Sequence, residues 1–423
     1  MFSVYLTFLS YLYDLFFTLK RNAMLTLDTI YKAGFALEKV IRRTNLIPTQ
    51  KINPTCDVFL KPENLQVTGS FKVRGAGFKI SQLTEEEKSH GVIACSAGNH
   101  AQGVALAARR YGIKSLICLP AGAPISKVEA TRELGAEICL VDGVYDDAYR
   151  RALELRDERN MTFIHPFDDE QVIAGQGSVG LEILSELPDV DVVLIPIGGG
   201  GLASGVAYAI KALKPDTQIY GVQAEGAASM LTSLDHNKIE CLPSVLTIAD
   251  GIAVKSPGEN TFSLCSQYLD GIVTVSEDEI CAAILALIEQ HKLIAEGAGA
   301  VSVAAAMFGK VPVEGKKVCC IVSGGNIDVT ILSRVINRGL MKGGRTIEML
   351  IELPDRPGSL LGLCKVIVNY GANIISVHHE RNGESPDVNS CNLRIILETR
   401  DADHIVQIRK GIGENGYQIL EWK

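Results

Sequence analysis

The chain has 423 residues, of which 47% are hydrophobic and 21% charged, and this composition predicts a globular protein of two or three domains. It excludes disordered and collagen-like chains. The formal net charge of −8 provides no basic field and argues against a nucleic-acid-binding protein. The eleven cysteines form no C-x-x-C pair and mostly lie in apolar runs, so we expect reduced, buried thiols in a cytoplasmic protein.

Residues 1–23 form a hydrophobic extension to which we assign no function. Residues 2–19 are apolar or hydroxylic apart from Asp14. This run only just reaches the length of a membrane span, and it lacks the basic start and cleavage site of a signal peptide. A weak membrane anchor, an extra packed helix and translated sequence upstream of a start at Met24 remain open, and we favour the third.

Residues 24–344 are predicted to form an α/β domain. Short apolar runs at 91–95, 115–119 and 137–141 alternate with helical patterns, and runs at 191–197 and 318–322 each lead into a glycine cluster. This alternation predicts parallel strands joined by helical crossovers in open sheets. Near the end of the region, a capping box at Ser276 and Glu279 predicts an amphipathic helix.

Residues 345–423 are predicted to form a second, smaller domain after a composition break at 341–345. Strand patterns at 347–353, 373–380, 388–399 and 417–422 alternate with helical patterns at 359–370 and 401–412. The middle two strands form a hairpin through a polar loop containing Asn382, Gly383 and Pro386. The order βαββαβ predicts a ferredoxin-like module, and the lack of a catalytic cluster favours a regulatory role.

Lys72, in the motif GSFKVRGA, is the first candidate for chemistry. A lysine at a helix N-terminus faces the positive end of the helix dipole, which would lower its pKa. Such an amine is a usable nucleophile for a carbonyl cofactor. A surface cation near a helix start is the alternative interpretation.

Two glycine-containing turns follow predicted strands. The turn formed by Ser96, Ala97, Gly98 and Asn99 opens a helix, so its backbone N–H groups are candidates for holding a carboxylate. The alternative is that Ser96 and Asn99 only cap that helix. The second turn predicts a phosphate cradle at the start of the next helix, with a flexible turn as the alternative. It consists of Gly198, Gly199, Gly200, Gly201 and Leu202. Ser323 begins a further cluster, SGGN, at the end of the run at 318–322.

Together the motifs GSFKVRGA, SAGNHAQGVA, PIGGGGL, EGAGA and SGGNID resemble pyridoxal-phosphate enzymes of the tryptophan synthase β-subunit type, fold type II. The resemblance is closest to threonine dehydratases (threonine ammonia-lyases), covers residues 24–340 and implies two subdomains with open parallel sheets. It implies that Lys72 binds pyridoxal 5'-phosphate covalently and that Asn99 bonds to the cofactor's ring oxygen. It also implies that residues 198–202 cradle the phosphate and that Ser323 faces the pyridine nitrogen.

The resemblance implies conversion of L-threonine to 2-oxobutanoate and ammonia, in isoleucine biosynthesis or threonine catabolism. L-serine ammonia-lyase and serine racemase of the same fold are alternatives, as is an inactive amino-acid sensor. Racemases that look similar have a serine at the position of Ala97, whose methyl group cannot transfer a proton. These racemases also bind a divalent cation through two carboxylates. Glu225 matches the first, but Leu231 stands at the position of the second, so we assign no metal site.

Residues 346–423, with the RPGSL turn and the NIISV strand, resemble an ACT domain, an amino-acid-sensing module. This implies isoleucine or valine as an effector, near Gly358 in the first strand–helix turn and Asn373 in the strand beside it. It also implies a homo-oligomer, a dimer or a tetramer. Glu296 is assigned either to the neighbourhood of the cofactor or to a structural turn, and Asp328 is predicted to cap a helix.

Overall fold

The computed structural model describes residues 25–380 and 389–422. The extension at 1–23 and the polar loop with Asn382, Gly383 and Pro386 lie outside the described residues. The chain divides into two compact units: the first runs to Glu277 and includes Leu293–Ile327, and the second consists of Asp278–Lys292 and Asp328–Lys423. Within the described ranges, no helix is long and apolar enough to cross a membrane.

The first unit contains two sheets. The larger consists of β1 (Ile47–Thr49), β2 (Asp57–Pro62), β7 (Val192–Pro196), β8 (Gln218–Ala224), β9 (Gly271–Val275) and β10 (Lys317–Val322). Its strand order is β1-β2-β10-β7-β8-β9, with only β1 antiparallel to its neighbour. The smaller consists of β3 (Val92–Cys95), β4 (Ser115–Pro120), β5 (Glu137–Val141) and β6 (Thr162–Phe163). Its order is β5-β4-β3-β6, and all four strands are parallel.

Helices connect the strands of both sheets, as the alternating pattern predicts. Every residue of β3 and β7 is buried, because strands of a parallel sheet are covered on both faces. The larger helices of this unit are Leu27–Leu37, Lys72–Ser81, Asn99–Arg110, Ile125–Glu133, Tyr145–Arg159, Glu170–Glu186, Gly201–Leu213, Glu259–Tyr268 and Gly297–Met307; shorter ones are Glu85–His90 and Ser229–Asp235. The prediction of parallel strands with helical crossovers is confirmed.

The second unit contains one antiparallel sheet. It consists of β11 (Thr346–Pro354), β12 (Asn373–Glu380), β13 (Ser390–Glu398) and β14 (Gln418–Trp422), in the order β12-β13-β11-β14. Alternate residues of β11 are buried, as expected for a sheet with one face against helices. Among the described residues, the helices of this unit are Ser359–Asn369, Ala402–Glu414, Val329–Lys342, most of Glu277–Ala286 and the π-helix Leu287–His291. The predicted order βαββαβ is confirmed.

The helix Val329–Lys342 clusters with the second unit, whereas the predicted domain boundary at 344–345 assigns it to the first domain. The boundary therefore stays a prediction. Asp328 caps this helix as predicted, since its carboxylate accepts a hydrogen bond from the backbone N–H of Thr330 at 2.8 Å.

Two local predictions are wrong. The helix Glu277–Ala286 is not amphipathic along its length, because all seven residues from Ile280 to Ala286 are buried. Asn373 also does not lie beside the turn at Gly358. In the sheet register Asn373 and Thr346 both pair with Glu398, whereas the turn follows Pro354 at the other end of β11. The strands β11 and β12 run parallel to each other across β13, which separates the two residues by the length of the sheet.

Candidate active site

The segment that precedes Lys72 is hydrogen-bonded to the loop that follows β10. The backbone N–H of Phe71 donates to Ser323 O at 3.0 Å, and that of Gly325 donates to Gly69 O at 2.8 Å. Parallel strands of an open sheet expose their ligand sites at their carboxyl ends, and β10 ends at Val322. Two of the four predicted motifs therefore meet at the expected edge of the larger sheet.

Lys72 is the first residue of the helix Lys72–Ser81. Its Nζ donates a hydrogen bond to Pro166 O at 2.8 Å and lies 5.3 Å from the centre of the Phe71 ring. Burial lowers the pKa of the Lys72 amine to about 8, and the negative charge of Glu296 opposes this shift. This direction agrees with the prediction, and desolvation is the largest cause of the shift.

The Asn99 side chain joins the turn after β3 to two other segments. Its Nδ2 donates to Glu296 Oε1 at 2.6 Å, and its Oδ1 accepts from Asn326 Nδ2 at 2.7 Å. Gly98, and not Asn99, occupies the capping position of the helix Asn99–Arg110. Since an amide nitrogen carries two hydrogens, Asn99 keeps one donor for a further acceptor.

The turn at 96–98 differs in one respect from the predicted row of free N–H groups. The backbone N–H of Gly98 donates to Ser96 Oγ at 3.2 Å. One of the backbone N–H groups predicted to hold a carboxylate is therefore already bonded to the Ser96 hydroxyl. Ala97 is partly buried and packs against the core of the smaller sheet.

The loop 198–202 is closely packed on the side of Phe167. A Cβ atom at Gly199 would lie 2.4 Å from the Phe167 ring, and one at Gly201 would lie 2.9 Å from its carbonyl oxygen. Gly200 has a φ of +99°, which L-residues with side chains rarely adopt. The helix Gly201–Leu213 begins here, and the N–H groups of its first turn have no partner within the helix. Such a helix start binds anions.

A buried threonine is hydrogen-bonded to the backbone of this glycine loop. Thr261 has no exposed surface, and its Oγ1 donates to Gly199 O at 2.7 Å. Asp168 fixes the helix that carries Thr261, because its carboxylate accepts the N–H groups of Glu259, Asn260 and Thr261 at 3.0–3.1 Å. Both residues position the loop.

Glu296 lies beside Asn99 and is 4% exposed. Its backbone N–H donates to Gly324 O at 3.1 Å, and a Cβ atom at Gly324 would lie 2.5 Å from its Oε1. Burial, with a contribution from the charge of Asp250, raises the pKa of Glu296 to about 7. The carboxyl group can therefore gain or lose a proton near neutral pH.

Ser323 directly follows the buried strand β10 and is 2% exposed. Its hydroxyl donates to Ala298 O at 3.2 Å. This bond joins the SGGN cluster to the segment EGAGA, which also contains Glu296. The Ser323 hydroxyl is thus a buried polar group at the carboxyl end of β10.

The sequence model of the family described as "Pyridoxal-phosphate dependent enzyme" matches residues 37–324. The chain belongs to this family. It is 47% identical over 398 residues to the L-threonine ammonia-lyase of Thermotoga maritima, an alignment that spans 94% of this chain and 99% of that protein. It is 44% identical to the catabolic L-threonine dehydratase of Escherichia coli K12, over 73% of this chain and 95% of the relative. It is 38% identical to the biosynthetic L-threonine dehydratase of Haemophilus influenzae, over 93% of this chain and 76% of the relative.

Solved structures of family members share the fold. The processed form of threonine deaminase isoform 2 from Solanum lycopersicum is 39% identical, with a TM-score of 0.70 over 74% of this chain and 88% of that chain. Maize serine racemase is 35% identical, with the same TM-score of 0.70 over 74% of this chain and 98% of that chain. Fold similarity therefore does not separate a lyase from a racemase.

The residues of the site fit pyridoxal phosphate. Lys72 supplies an amine, and the start of the helix Gly201–Leu213 supplies anion-binding N–H groups. Among the described residues, the buried Ser70 Oγ and His100 Nδ1 have no hydrogen-bond partner. Burial, aided by the charge of Lys72, lowers the pKa of His100 to about 3, so its ring is a neutral hydrogen-bonding group. Buried polar atoms without partners are expected where a polar ligand belongs.

We expect Thr261→Val to weaken pyridoxal phosphate binding about tenfold to a hundredfold. The change keeps the side-chain volume but leaves Gly199 O without its donor, a loss of about 1–3 kcal/mol in a buried site. The measurement is the cofactor dissociation constant from absorbance titration of the apoenzyme. Thr261→Ser keeps the hydroxyl and is the matched control. Equal affinities of the two variants would contradict the positioning role.

We expect the raised pKa of Glu296 to be visible in the pH dependence of the free energy of unfolding of the apoenzyme. Its pKa is raised in the folded state, so its stabilisation is complete below pH 4.5 and is lost as the pH rises through about 7. Glu296→Gln should flatten the fall in the free energy of unfolding between pH 5 and 8, by on the order of 2–3 kcal/mol. Urea unfolding at several pH values measures this, with the exposed Glu129→Gln as control. An unchanged slope in Glu296→Gln would contradict the assignment.

Sequence reasoning missed Asn326, Asp168 and Thr261. The motif SGGNID contains Asn326, but nothing in it indicates that the amide bonds to both Asn99 Oδ1 and Thr68 O. Asp168 lies in the segment HPFDD, shortly after β6. A carboxylate near the carboxyl end of a strand could have identified it as a candidate site residue. For Thr261 no local signal exists, because its role depends on the packing of a distant helix.

Proposed function

We propose that the chain is a pyridoxal-phosphate-dependent L-threonine ammonia-lyase that produces 2-oxobutanoate and ammonia. The observation that carries this proposal is that contacts link the segments of Lys72, Asn99 and Ser323 to one another and to a glycine loop at a helix start. Phe71 N–H donates to Ser323 O, Asn326 donates to Asn99, and Pro166, which accepts from Lys72, precedes the Phe167 that packs on the glycine loop. The 47% identity to a protein named L-threonine ammonia-lyase supports the substrate. The chain matches proteins named catabolic and proteins named biosynthetic L-threonine dehydratases. A role in isoleucine biosynthesis is therefore part of the proposal.

Each group has a distinct task in this proposal. Bound pyridoxal phosphate supplies an electron sink for negative charge at the substrate Cα. Lys72 holds the cofactor by its aldehyde, and the N–H groups at Gly201 hold the phosphate. Asn99 donates its remaining amide hydrogen to the ring oxygen. Ser323 would offer the ring nitrogen a neutral hydroxyl by turning its O–H away from Ala298 O. A hydroxyl stabilises less charge there than a carboxylate would, which favours prompt elimination.

The proton transfers follow from the basicity of Lys72. Once the amino group of threonine has replaced Nζ at the aldehyde carbon of the cofactor, the Lys72 amine is free. With a pKa near 8, a useful fraction of that amine is neutral at physiological pH, so Nζ would remove the α-proton of threonine. The β-hydroxyl would leave as water, with a proton supplied by the phosphate group of the bound cofactor. The released enamine takes up water and yields 2-oxobutanoate and ammonia, which balances the reaction. Backbone N–H groups of the turn at 96–99 are proposed to hold the substrate carboxylate.

Serine racemase is the second candidate, because maize serine racemase matches with the same TM-score as the tomato deaminase. The identity of Ala97 favours the lyase, since racemisation needs a second proton donor on the opposite face of the cofactor. L-serine deamination is expected as a side activity, because the loss of one methyl group changes binding only modestly.

The second unit is proposed to be an ACT domain that responds to isoleucine or valine. Gly358 has a φ of +93° and begins the helix Ser359–Asn369, and the space next to its Cα is open. Asn373 instead donates to Glu398 Oε2 at 3.1 Å at the opposite end of the sheet. Gly358 therefore remains the effector candidate within this turn. A homo-oligomer, dimer or tetramer, and a cytoplasmic location are further parts of the proposal. The eleven cysteines, none of them in a disulfide and eight of them buried, support a reducing compartment.

The test is a steady-state assay of the purified full chain with pyridoxal phosphate. Production of 2-oxobutanoate from L-threonine is followed by its reduction with lactate dehydrogenase and NADH, with and without isoleucine. We expect turnover of L-threonine with kcat/KM above that for L-serine. Formation of D-serine without 2-oxo acid would establish a racemase instead. Insensitivity to isoleucine and valine would overturn the effector proposal but leave the lyase.

A further inference from the structure

Three potential metal ligands lie together at one end of the antiparallel sheet. Asp355 follows β11, His379 is near the end of β12, and Cys391 is near the start of β13. One ligand atom from each lies within 4.8 Å of the other two. His379 Nε2 and Cys391 Sγ lie 2.8 Å apart. This is the only such group in the part of the chain that the structure describes.

The sheet register explains why these side chains meet. Cys391 pairs with Leu353, and His379 pairs with Leu393, two residues further along β13. Side chains two residues apart on a strand share a face, so Cys391 and His379 are diagonal neighbours across β12 and β13. Asp355 continues from β11, and its backbone N–H donates to Asn389 O at 2.8 Å. This backbone bond keeps the chain at Asp355 next to the start of β13.

We propose that Asp355, His379 and Cys391 bind a divalent transition-metal ion of the Zn²⁺ class. Thiolate, imidazole and carboxylate are the three donor types that zinc uses in proteins, and three protein ligands leave a fourth position for water. The proposal is independent of the lyase activity. It concerns a different place from the incomplete cation motif at Glu225 and Leu231.

The geometry needs only a small adjustment. Zinc–sulfur and zinc–nitrogen bonds in a tetrahedral site place the two ligand atoms about 3.5 Å apart. The His379 ring and Cys391 Sγ must therefore separate by about 0.7 Å. His379 is exposed, so its side chain can move outward into solvent. The Cys391 thiol, which also lies 3.5 Å from Leu353 O, releases its proton to solvent on binding.

Cobalt(II) is the probe, because its thiolate complexes absorb in the near ultraviolet and its tetrahedral complexes have visible d–d bands. Reduced, cofactor-loaded full chain is titrated with Co²⁺, and spectra are read as differences from the metal-free holoenzyme. We expect both sets of bands at one equivalent, and Zn²⁺, which has a filled d shell, should abolish them by displacement. Absence of these bands would overturn the proposal.

Variants identify the ligands. Cys391→Ser should remove the charge-transfer band, and His379→Gln and Asp355→Asn should each raise the Co²⁺ dissociation constant at least tenfold. The matched controls are His378→Gln, on the opposite face of β12, and Cys364→Ser, a partly exposed cysteine of the same unit. Both should leave the titration unchanged. A near-ultraviolet thiolate band that persists in Cys391→Ser would overturn the site.

Cys391 is buried, so Cys391→Ser can also fail to fold. The exposed positions His379 and Asp355 then decide, because their variants are not expected to alter the core. Circular dichroism in the absence of metal checks that each variant is folded. Co²⁺ affinity within twofold of the parent in both folded variants would overturn the proposal.

Discussion

Lys72→Ala is expected to abolish turnover of L-threonine and the absorbance band of the lysine-bound cofactor together. The variant removes the only group at the site that both binds the cofactor aldehyde and takes the α-proton in our proposal. Loss of an essential nucleophile and base lowers kcat by at least about a thousandfold. The two measurements are the 2-oxobutanoate assay and the visible spectrum of protein reconstituted with pyridoxal phosphate.

Lys79→Ala is the matched control for this prediction. Lys79 lies on the same helix and forms an ion pair with Asp169 at 2.8 Å, away from Pro166 O. Its variant should keep both the absorbance band and turnover within a few-fold. Turnover retained in Lys72→Ala without the band would show that another group performs the chemistry.

Arg74→Met is expected to lower the free energy of unfolding by about 3–5 kcal/mol. Arg74 lies two residues after Lys72, has no exposed surface and donates to both carboxylate oxygens of Glu63 at 2.7 Å. It also donates to Glu182 at 2.8 and 2.9 Å. Its removal leaves carboxylates in the core without their main counter-ion. Urea unfolding of parent and variant under the same cofactor conditions measures the change.

The pH dependence of this destabilisation gives a second signature. Burial alone would raise the pKa of Glu63, but the charge and hydrogen bonds of Arg74 hold it below its usual value. In the parent, the ionised Glu63 therefore contributes stability above about pH 4.5, which is lost as the pH falls through the lowered pKa. In Arg74→Met burial dominates, so stability should fall as the pH rises. The difference between the two proteins should grow from pH 5 to 8.

An exposed arginine provides the control. Arg150 pairs with Asp147 at 2.7 Å on a helix surface, and Arg150→Met should change the free energy of unfolding by less than about 1 kcal/mol. A similarly small effect in Arg74→Met, or a difference independent of pH, would contradict the role given to the buried network.

The parts of the fold that were predicted correctly share a local signal. The strands β3, β4 and β5 are short apolar runs between helical patterns, so periodicity alone identifies them. The strand β2 was not identified, because its sequence DVFLKP contains a lysine and a proline. Lys61 is nevertheless fully buried, where it donates to Glu182 at 2.5 Å. A long-range ion pair of this kind leaves no trace in the neighbouring sequence.

The same distinction holds for the candidate site. Lys72, Asn99 and Ser323 were found because glycine-containing motifs surround them. Thr261 and the Asn326 amide were missed, since their hydrogen bonds join segments 62 and 227 residues apart in the chain. The raised pKa of Glu296 also depends on burial, which sequence alone does not reveal. The motifs therefore predict the chemistry, and tertiary packing sets its geometry and proton affinities.

The central claim is elimination from L-threonine at a site with no second proton donor at Ala97. Proton NMR of the full holoenzyme with L-threonine in D₂O tests it most directly. The account predicts 2-oxobutanoate that carries deuterium at C3, from protonation of the enamine, while unreacted threonine keeps its α-hydrogen and L configuration. Accumulation of a D-configured amino acid that carries deuterium at its α-carbon, without 2-oxobutanoate, would contradict it.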